Sequence, residues 1–513
     1  MRQKSKIEKV YAVINQQKLV YLFTISPLTS PTEDGAKTIK EFVSANLNTY
    51  AASLPLGAAL LSTDNQYGDE AALLAVMGLI RLFTFKPTDQ TPIYQAITVL
   101  ETTLLKSKHN YQALLILVRL YIHLGAIELA LMTYPRLNIK QVQNDTLSHF
   151  LLTRITTLLP SSPRVPFLLS EAGSIYDSSK HQAPNMLQLA FERGSYAQMF
   201  GFLDFSDRVA GSVCRSMWEV ELRRLVRLTS FPDLGPMSDV GHKGSIWDNR
   251  DFTVILDCEQ STSTRFERTF RVGPTPGKNW VRAFAAAEAT IAYLELFPGS
   301  EQTNGSLHQA VSLPPLPETA TATIDTALAA EAEAAADEKE FTAAEHAYLA
   351  LAASLASLLL ATHTKDGSTA ATLLANITTT LLPACITSRP QQQDWSLLHH
   401  LGMAKDAVAL AEITTKYLQA VKTLKPSLPK GAVKELSEKA KALKREIGEL
   451  GKEAEKGVAD DEETQKLVDA VLDMEEVGAG RVFQEGGVWG GVEGVAGRVK
   501  MVREVVARSF ENV

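Results

Sequence analysis

The stretch IWDNRDFTVILD, Ile246 to Asp257, sets Asp248, Asn249, Arg250 and Asp251 between two aromatics, Trp247 and Phe252. Two carboxylates three residues apart could divide acid and base work, and an arginine between them could clamp an anion. The same residue types can also satisfy one another. Close neighbours of opposite charge pair, and short Asp/Asn loops bond their own backbone amides. On residue types a structural corner is the first reading, a partner contact the second and catalysis the third. The chain carries no HExxH, GxSxG, P-loop or GxGxxG pattern to support the third. His399 and His400 are adjacent, and consecutive side chains on a helix diverge by about 100°. They are therefore a poor chelating pair and are expected at a surface or interface. No catalytic, cofactor-binding or metal-binding residue is assigned.

A second candidate is the basic run RVAGSVCRSMWEVELRRLVRL. Read as one helix, it brings Arg208, Arg215, Arg223 and Arg227 within roughly a third of the circumference. Such a stripe could meet RNA phosphates or an acidic partner. The plainer alternative is a solvated face paired with Glu219 and Glu221.

These residues need a scaffold, and the 513 residues suffice for several domains or one long repeat array. The net charge of −7 gives no global basic field that would draw the chain to DNA or a membrane. Cys214, Cys258 and Cys385 are few, odd in number and far apart, which fits a reducing compartment better than a disulfide framework. Each reads as a small buried apolar residue. The N-terminal MRQKSKIEKV does not read as a signal peptide. No window reads as a membrane helix, since Arg119, His123 and Glu128 interrupt the most apolar run. A cytoplasmic protein without membrane contact is expected.

Helical spacing dominates. Thr91-Pro92 reads as an N-cap followed by proline, and Ile93, Ile97, Leu100 and Leu104 then line one helix face. A second helix begins at Tyr111 and ends at Gly125; a third covers Ile127 to Tyr134. Tyr121, Ala130 and Tyr134, preceded by Leu114, Leu117 and Val118, have the spacing of a degenerate tetratricopeptide repeat. One such repeat cannot bury its own face, so neighbours must stack on it. Ala71–Phe85, Thr146–Leu159, Phe167–Ser179, Met186–Arg193 and Gly211–Leu228 supply them. FTVILDC and RFERTFRV are the two segments that could be extended.

The expected fold is all-α: a tetratricopeptide-like helical-hairpin solenoid over residues 1–298 with a long irregular insertion at about 230–278. A flexible linker at 299–325 follows. An Ala-rich helical region at 326–425 opens on a stretch with almost nothing to bury. Residues 426–513 then read as a charged helical hairpin and a C-terminal helix. Val433, Leu436, Ala440, Leu443, Ile447 and Leu450 form a short heptad seam there.

Three quoted stretches are also familiar. RLYIHLGA and LNIKQVQNDTLSH, both within Tyr111–Leu159, and then DNRDF occur in an order that resembles the auxiliary, non-catalytic subunit of the N-terminal acetyltransferase B (NatB) complex. The resemblance covers roughly residues 1 to 300. It implies a scaffold that wraps a separate catalytic acetyltransferase subunit, and that partner would bind acetyl-CoA. It further implies co-translational acetylation of Met-Asp, Met-Glu, Met-Asn and Met-Gln N-termini, contact with the ribosome, and a link to actin-cytoskeleton organisation. Members of that family carry further repeats before the matched region, so this chain reads as starting near the middle of the array. Consistent with a non-catalytic role, no glycine preceded at three residues by Gln or Arg is followed at two by Gly or Ala, the turn that cradles the acetyl-CoA pyrophosphate in such enzymes. A generic tetratricopeptide-like scaffold of another assembly is the alternative.

Overall fold

The computed structural model describes residues 2–28, 30–229, 245–260, 266–300, 318–387, 389–390, 392, 394–421, 428–472 and 492–511. Most of the expected linker, part of the irregular insertion and the glycine-rich stretch near the C-terminus lie outside these. The described residues are helical, with no strand and a single isolated bridge between Ser212 and Trp247. In chain order the helices are α1 (Arg2–Val20), α2 (Glu33–Ser53), α3 (Asp69–Phe85), α4 (Thr91–Lys106), α5 (Tyr111–Leu124), α6 (Ile127–Thr133), α7 (Val142–Leu147), α8 (His149–Leu152), α9 (Ile155–Leu158), α10 (Arg164–Glu192) and α11 (Tyr196–Ala210). There follow α12 (Val213–Leu228), α13 (Phe266–Thr269), α14 (Lys278–Ser300), α15 (Ala320–Glu333), α16 (Ala343–His363), α17 (Gly367–Asn376), α18 (Leu382–Thr387), α19 (Trp395–Ala420), α20 (Ala432–Val458), α21 (Asp461–Leu472) and α22 (Val492–Glu511).

They fall into two compact units, neither of them one continuous stretch. The first comprises residues 1–139, 251–271 and 455–509. In it α1 to α6 pack each on the next, the order of a solenoid of hairpins. Asn110 caps α5 by accepting from the Ala113 amide, and Gly125 ends it at a φ of 81°. That left-handed turn is open to glycine at no steric cost and folds α6 back on α5. The proposed repeat residues Tyr121, Ala130 and Tyr134 are all buried, as are Ile93, Ile97, Leu100 and Leu104. The chain of 251–260 is irregular where a strand was conceivable. Polar side chains hold it to α3, α5 and residues 21–26, which follow α1. Gln112 donates to the Val254 carbonyl at 2.7 Å and accepts from the Leu256 amide, and Glu259 accepts from Tyr21, Ser26 and Arg81.

The second unit comprises residues 140–250, 272–454 and 510–513. Several expectations change here. Thr146–Leu159 is not one helix but is divided among the short pieces α7, α8 and α9, and a left-handed φ of 62° at Arg154 parts α8 from α9. Phe167–Ser179 and Met186–Arg193 merge into α10, which runs through Pro184. A proline deprives only one carbonyl of its partner, and this part of α10 is solvent-exposed. Helix α15 starts inside the expected linker and does bury a stripe, Ala320, Ile324, Ala327 and Glu331; small side chains let it pack closely on α14 and α16. The pair His399 and His400 is core, not surface. By length and composition Ala343–His363 and Gly367–Thr387 could cross a bilayer, contrary to the reading of the sequence. In the fold α16 is largely buried among α14, α15, α17 and α19.

Candidate interaction site

The corner at Trp247 is built on the break between α11 and α12. Gly211 and Ser212 interrupt the helix, and Trp247 pairs with that break. Its amide donates to the Gly211 carbonyl and its carbonyl accepts from the Val213 amide, both at 2.9 Å. The indole Nε1 donates to Asp207 Oδ2 at 3.0 Å, and the Arg208 guanidinium lies 5.2 Å from the ring centroid. Arg208 therefore stands on α11, not on one helix with Arg215, Arg223 and Arg227.

Asp248 and Arg250 pair with each other. Arg250 Nε donates to Asp248 Oδ1 at 2.7 Å and Nη2 to Oδ2 at 2.6 Å, while Nη2 also donates to the Pro276 carbonyl. The Arg250 side chain is 2% exposed and that of Asp248 43%. Asp251 accepts from the amide and hydroxyl of Thr253, a local turn. Phe252 lies under the Arg271 guanidinium at 4.8 Å. Both carboxylates proposed for acid and base work are thus engaged in structural bonds.

The centre of the corner is a residue that composition did not single out. Asp145, on α7, is 1% exposed. Its Oδ1 accepts from Tyr176 at 3.0 Å and from Ser212, and its Oδ2 from Asn249 Nδ2 at 2.9 Å. Burial raises the Asp145 carboxyl above its usual range, and these three donors pull against that rise. Asp145 belongs to QNDTL and Asn249 to DNRDF, so two stretches 104 residues apart meet through one side-chain bond. The sequence held a signal for this only as the pairing of two motifs.

Residues 1–254 match the family described as N-acetyltransferase B complex (NatB) non catalytic subunit. Over that stretch, just under half of the chain, the sequence is similar to this family. Among its relatives, the N-terminal acetyltransferase B complex subunit arm1 of Schizosaccharomyces pombe is 34% identical over 282 residues, which are 54% of this chain and 34% of that protein. The human N-alpha-acetyltransferase 25, NatB auxiliary subunit, is 32% identical over 164 residues, 32% of this chain and 17% of that one. A solved structure of the NatB acetyltransferase complex bound to CoA and MES gives a TM-score of 0.49 at 14% identity, over 91% of this chain and 56% of the other. The chain spans about a third of the fission-yeast relative's length.

Within this matched region the basic stripe is mostly consumed by partners. Arg215 donates to Glu219 at 3.1 Å and to the Ala210 carbonyl. Arg227 makes a fork to Glu288 at 2.7 and 2.8 Å and reaches Asp406 at 2.9 Å. Burial opposes its charge, yet Asp406 and Glu288 hold its guanidinium well above the usual value. Arg224, which the stripe omitted, completes the cluster through Asp406 and Glu221. Arg223 is half-buried, and burial lowers its pKa. Arg208 pairs with Asp204 at an exposed site.

A second buried pair lies in the second unit. Arg154 donates to both oxygens of Glu345 at 2.9 and 2.8 Å, with side chains 1% and 0% exposed. It also donates to the carbonyls of Val272 and Pro274, while Trp280 Nε1 donates to Glu345. Glu345 closes a capping box with Thr342 at the start of α16. Burial alone would raise its carboxyl, but Arg154 outweighs it and brings the pKa down to about 2. Cys214 and Cys385 are buried free thiols, each pushed up to about 12 by burial; Cys258 is half-buried. Among the described residues no group of three His, Cys, Asp or Glu side chains could hold a metal.

Proposed function

We propose that this chain is a non-catalytic scaffold subunit of a NatB N-terminal acetyltransferase, binding and positioning the catalytic acetyltransferase subunit. The observation that carries this is the family match over residues 1–254. The relatives' names extend it: they are auxiliary or complex subunits of NatB. On this reading the substrates are nascent chains beginning Met-Asp, Met-Glu, Met-Asn or Met-Gln. Acetylation takes place in the cytoplasm at the ribosome, and effects on the actin cytoskeleton arise through the substrates. A helical scaffold acts by shape: its repeats present a surface that fixes the partner's orientation. The corner residues Trp247, Asp248, Asn249, Arg250, Asp251 and Phe252 serve in structure or in partner contact, as do Arg208, the exposed member of the stripe, and the half-buried Arg215.

The test is affinity purification of a tagged full chain followed by mass spectrometry. A small acetyltransferase in stoichiometric amount is expected. Its absence, with other assembly proteins recovered instead, would favour the generic tetratricopeptide-like scaffold. Acetyl-CoA turnover by the purified chain alone, lost on replacing Asp248 or Asp251, would overturn the scaffold reading altogether.

A further inference from the structure

His399 and His400 stand side by side in the second turn of α19, and both border one cavity of about 480 Å³ inside the second unit. Both ring nitrogens of His399 meet threonine hydroxyls, those of Thr157 and Thr342. His400 has one protein bond, from Nε2 to the Ile386 carbonyl at 3.2 Å. A carbonyl can only accept, so Nε2 carries the proton. Burial lowers the His400 pKa against the pull of that bond, and Arg389 lowers it further, so the ring is uncharged at neutral pH. Nδ1 is then a bare acceptor, and no described residue donates to it. A buried acceptor without a donor costs stability. With Nε2 spent on α18, that lone pair is what His400, 3% exposed, offers the cavity.

The other walls are largely apolar and held in place. Phe341, Trp395, Pro274 and Pro390 form them. Phe341 is buried, and Glu331 fixes the chain there by accepting from the amides of Glu340 and Phe341. Trp395 lies against Gly273, whose φ is 74°; a Cβ at that glycine would come within 3.1 Å of the indole. On its other side the His399 ring is 6.4 Å away. Charges of both signs line the cavity, Lys339 and Glu331. An anion meets Glu331 and a cation meets Lys339, so a neutral ligand is favoured over either. Water satisfies Nδ1 but leaves the apolar walls wet. A plain hydrocarbon dries the walls and leaves Nδ1 unpaired. An apolar cavity of about 150 Å³ is enough for a benzene ring, so this one admits a larger ring together with the chain that bears it.

The geometry points to a binding site for a neutral aromatic ring that carries one N–H or O–H donor, with the ring against Trp395 and Phe341 and its donor on His400 Nδ1. This is the chemistry of a tryptophan or tyrosine side chain on a peptide, and equally of a free indole or phenol.

The experiment titrates the full chain with three probes, followed by saturation-transfer NMR. They are N-acetyltryptophanamide, its benzothienylalanine counterpart, in which sulfur replaces the indole N–H, and free indole. The tryptophan amide is expected to bind about fivefold more tightly than its sulfur counterpart. In His400→Leu the two amides should bind alike, and in Trp395→Ala both should weaken together. Tighter binding of the tryptophan amide than of indole identifies a peptide side chain as the ligand, and equal or weaker binding a free ring; both support the site. No binding of any probe overturns it, and so does equal binding of the two amides to the wild-type chain. A preference for the tryptophan amide that survives in His400→Leu, with circular dichroism unchanged, overturns it as well. If that variant does not fold, the two amides on the wild-type chain decide together with Trp395→Ala, in which undiminished binding of the tryptophan amide sinks the site.

Discussion

The corner at Trp247 and the Arg154–Glu345 pair use the same chemistry, an arginine forked onto a carboxylate, and differ in sequence distance and burial. Arg250 and Asp248 are two residues apart, and the carboxylate is 43% exposed. Arg154 and Glu345 are 191 residues apart and both are buried. The first announces itself as a charged cluster in an apolar chain. The second shows nothing in the sequence, yet it joins α9, the 272–274 turn and the start of α16. Local charge density therefore marks where side chains satisfy themselves. Structural weight rests on charges whose partners come from far away.

Breaking the distant pair tests this most severely. Arg154→Met leaves Glu345 buried without its counter-charge and two carbonyls without a donor. We expect a loss of about 3–5 kcal/mol in unfolding free energy, measured by urea denaturation followed by circular dichroism. Glu345→Gln, which keeps a polar partner, should cost less. Because Glu345 is held near 2 in the fold, below the ordinary value of about 4.3 for an unfolded chain, its contribution is complete above about pH 4.5. It falls away as pH drops toward 2. A wild-type stability that does not change over that window relative to Arg154→Met would refute the assignment.

A second prediction concerns the histidine beside that pair. His399 Nδ1 lies 2.7 Å from Thr157 Oγ1, and its Nε2 2.8 Å from Thr342 Oγ1. The Thr157 hydroxyl already donates to the Arg154 carbonyl. Nδ1 must then carry the proton, and Thr342 donates to Nε2, which makes the ring neutral. Burial lowers the His399 pKa to about 3, and Arg154 and Arg224 oppose a positive ring, while Glu345 favours one. A base depressed in the fold stabilises it fully above its unfolded pKa of about 6.5 and costs stability as pH falls below that. We expect His399 alone to remove about 1.4 kcal/mol per pH unit between pH 6 and 4. His399→Gln should show a shallower slope there; an identical slope in the two proteins would count against it. His123 in the first unit, lowered to about 4 by burial, adds a similar dependence that the variant leaves in place.

The solenoid of the first unit was legible because its signals are local. The apolar period of Ile93 to Leu104, Asn110 before α5 and Gly125 after it each act within one turn of helix. Phe167–Ser179 and Met186–Arg193 read as two helices and are one, α10, whose exposed stretch tolerates Pro184. The ladder of Arg154, Thr157, His399 and Thr342 was illegible because the bonds that assemble it, Thr157 and Thr342 to His399 and Arg154 to Glu345, span 242, 57 and 191 residues. For the same reason adjacency suggested a surface for His399 and His400, when each has a distant bond waiting, His400 with the Ile386 carbonyl. At the corner the residue types were legible and the centre was not. Asp145 stands 104 residues before Asn249 and looks like an ordinary early-turn acid of α7.

The smallest effect belongs to the feature most visible in the sequence. Arg250→Ala removes a fork to Asp248 and a bond to Pro276, but Asp248 stays hydrated when its partner goes. The cost should be about 1–2 kcal/mol, below that of Arg154→Met. Asp248→Ala leaves the buried Arg250 with the Pro276 carbonyl and should cost about the same or more, because the uncompensated group is then the inaccessible one. Thermal melts of the two variants with co-purification of the catalytic subunit separate the roles. Lower melting temperature with intact co-purification makes the corner structural, and normal melting with lost co-purification makes it a contact. If Arg250→Ala changes neither, the corner has neither role; if it matches Arg154→Met, the contrast drawn between local and distant pairs is wrong.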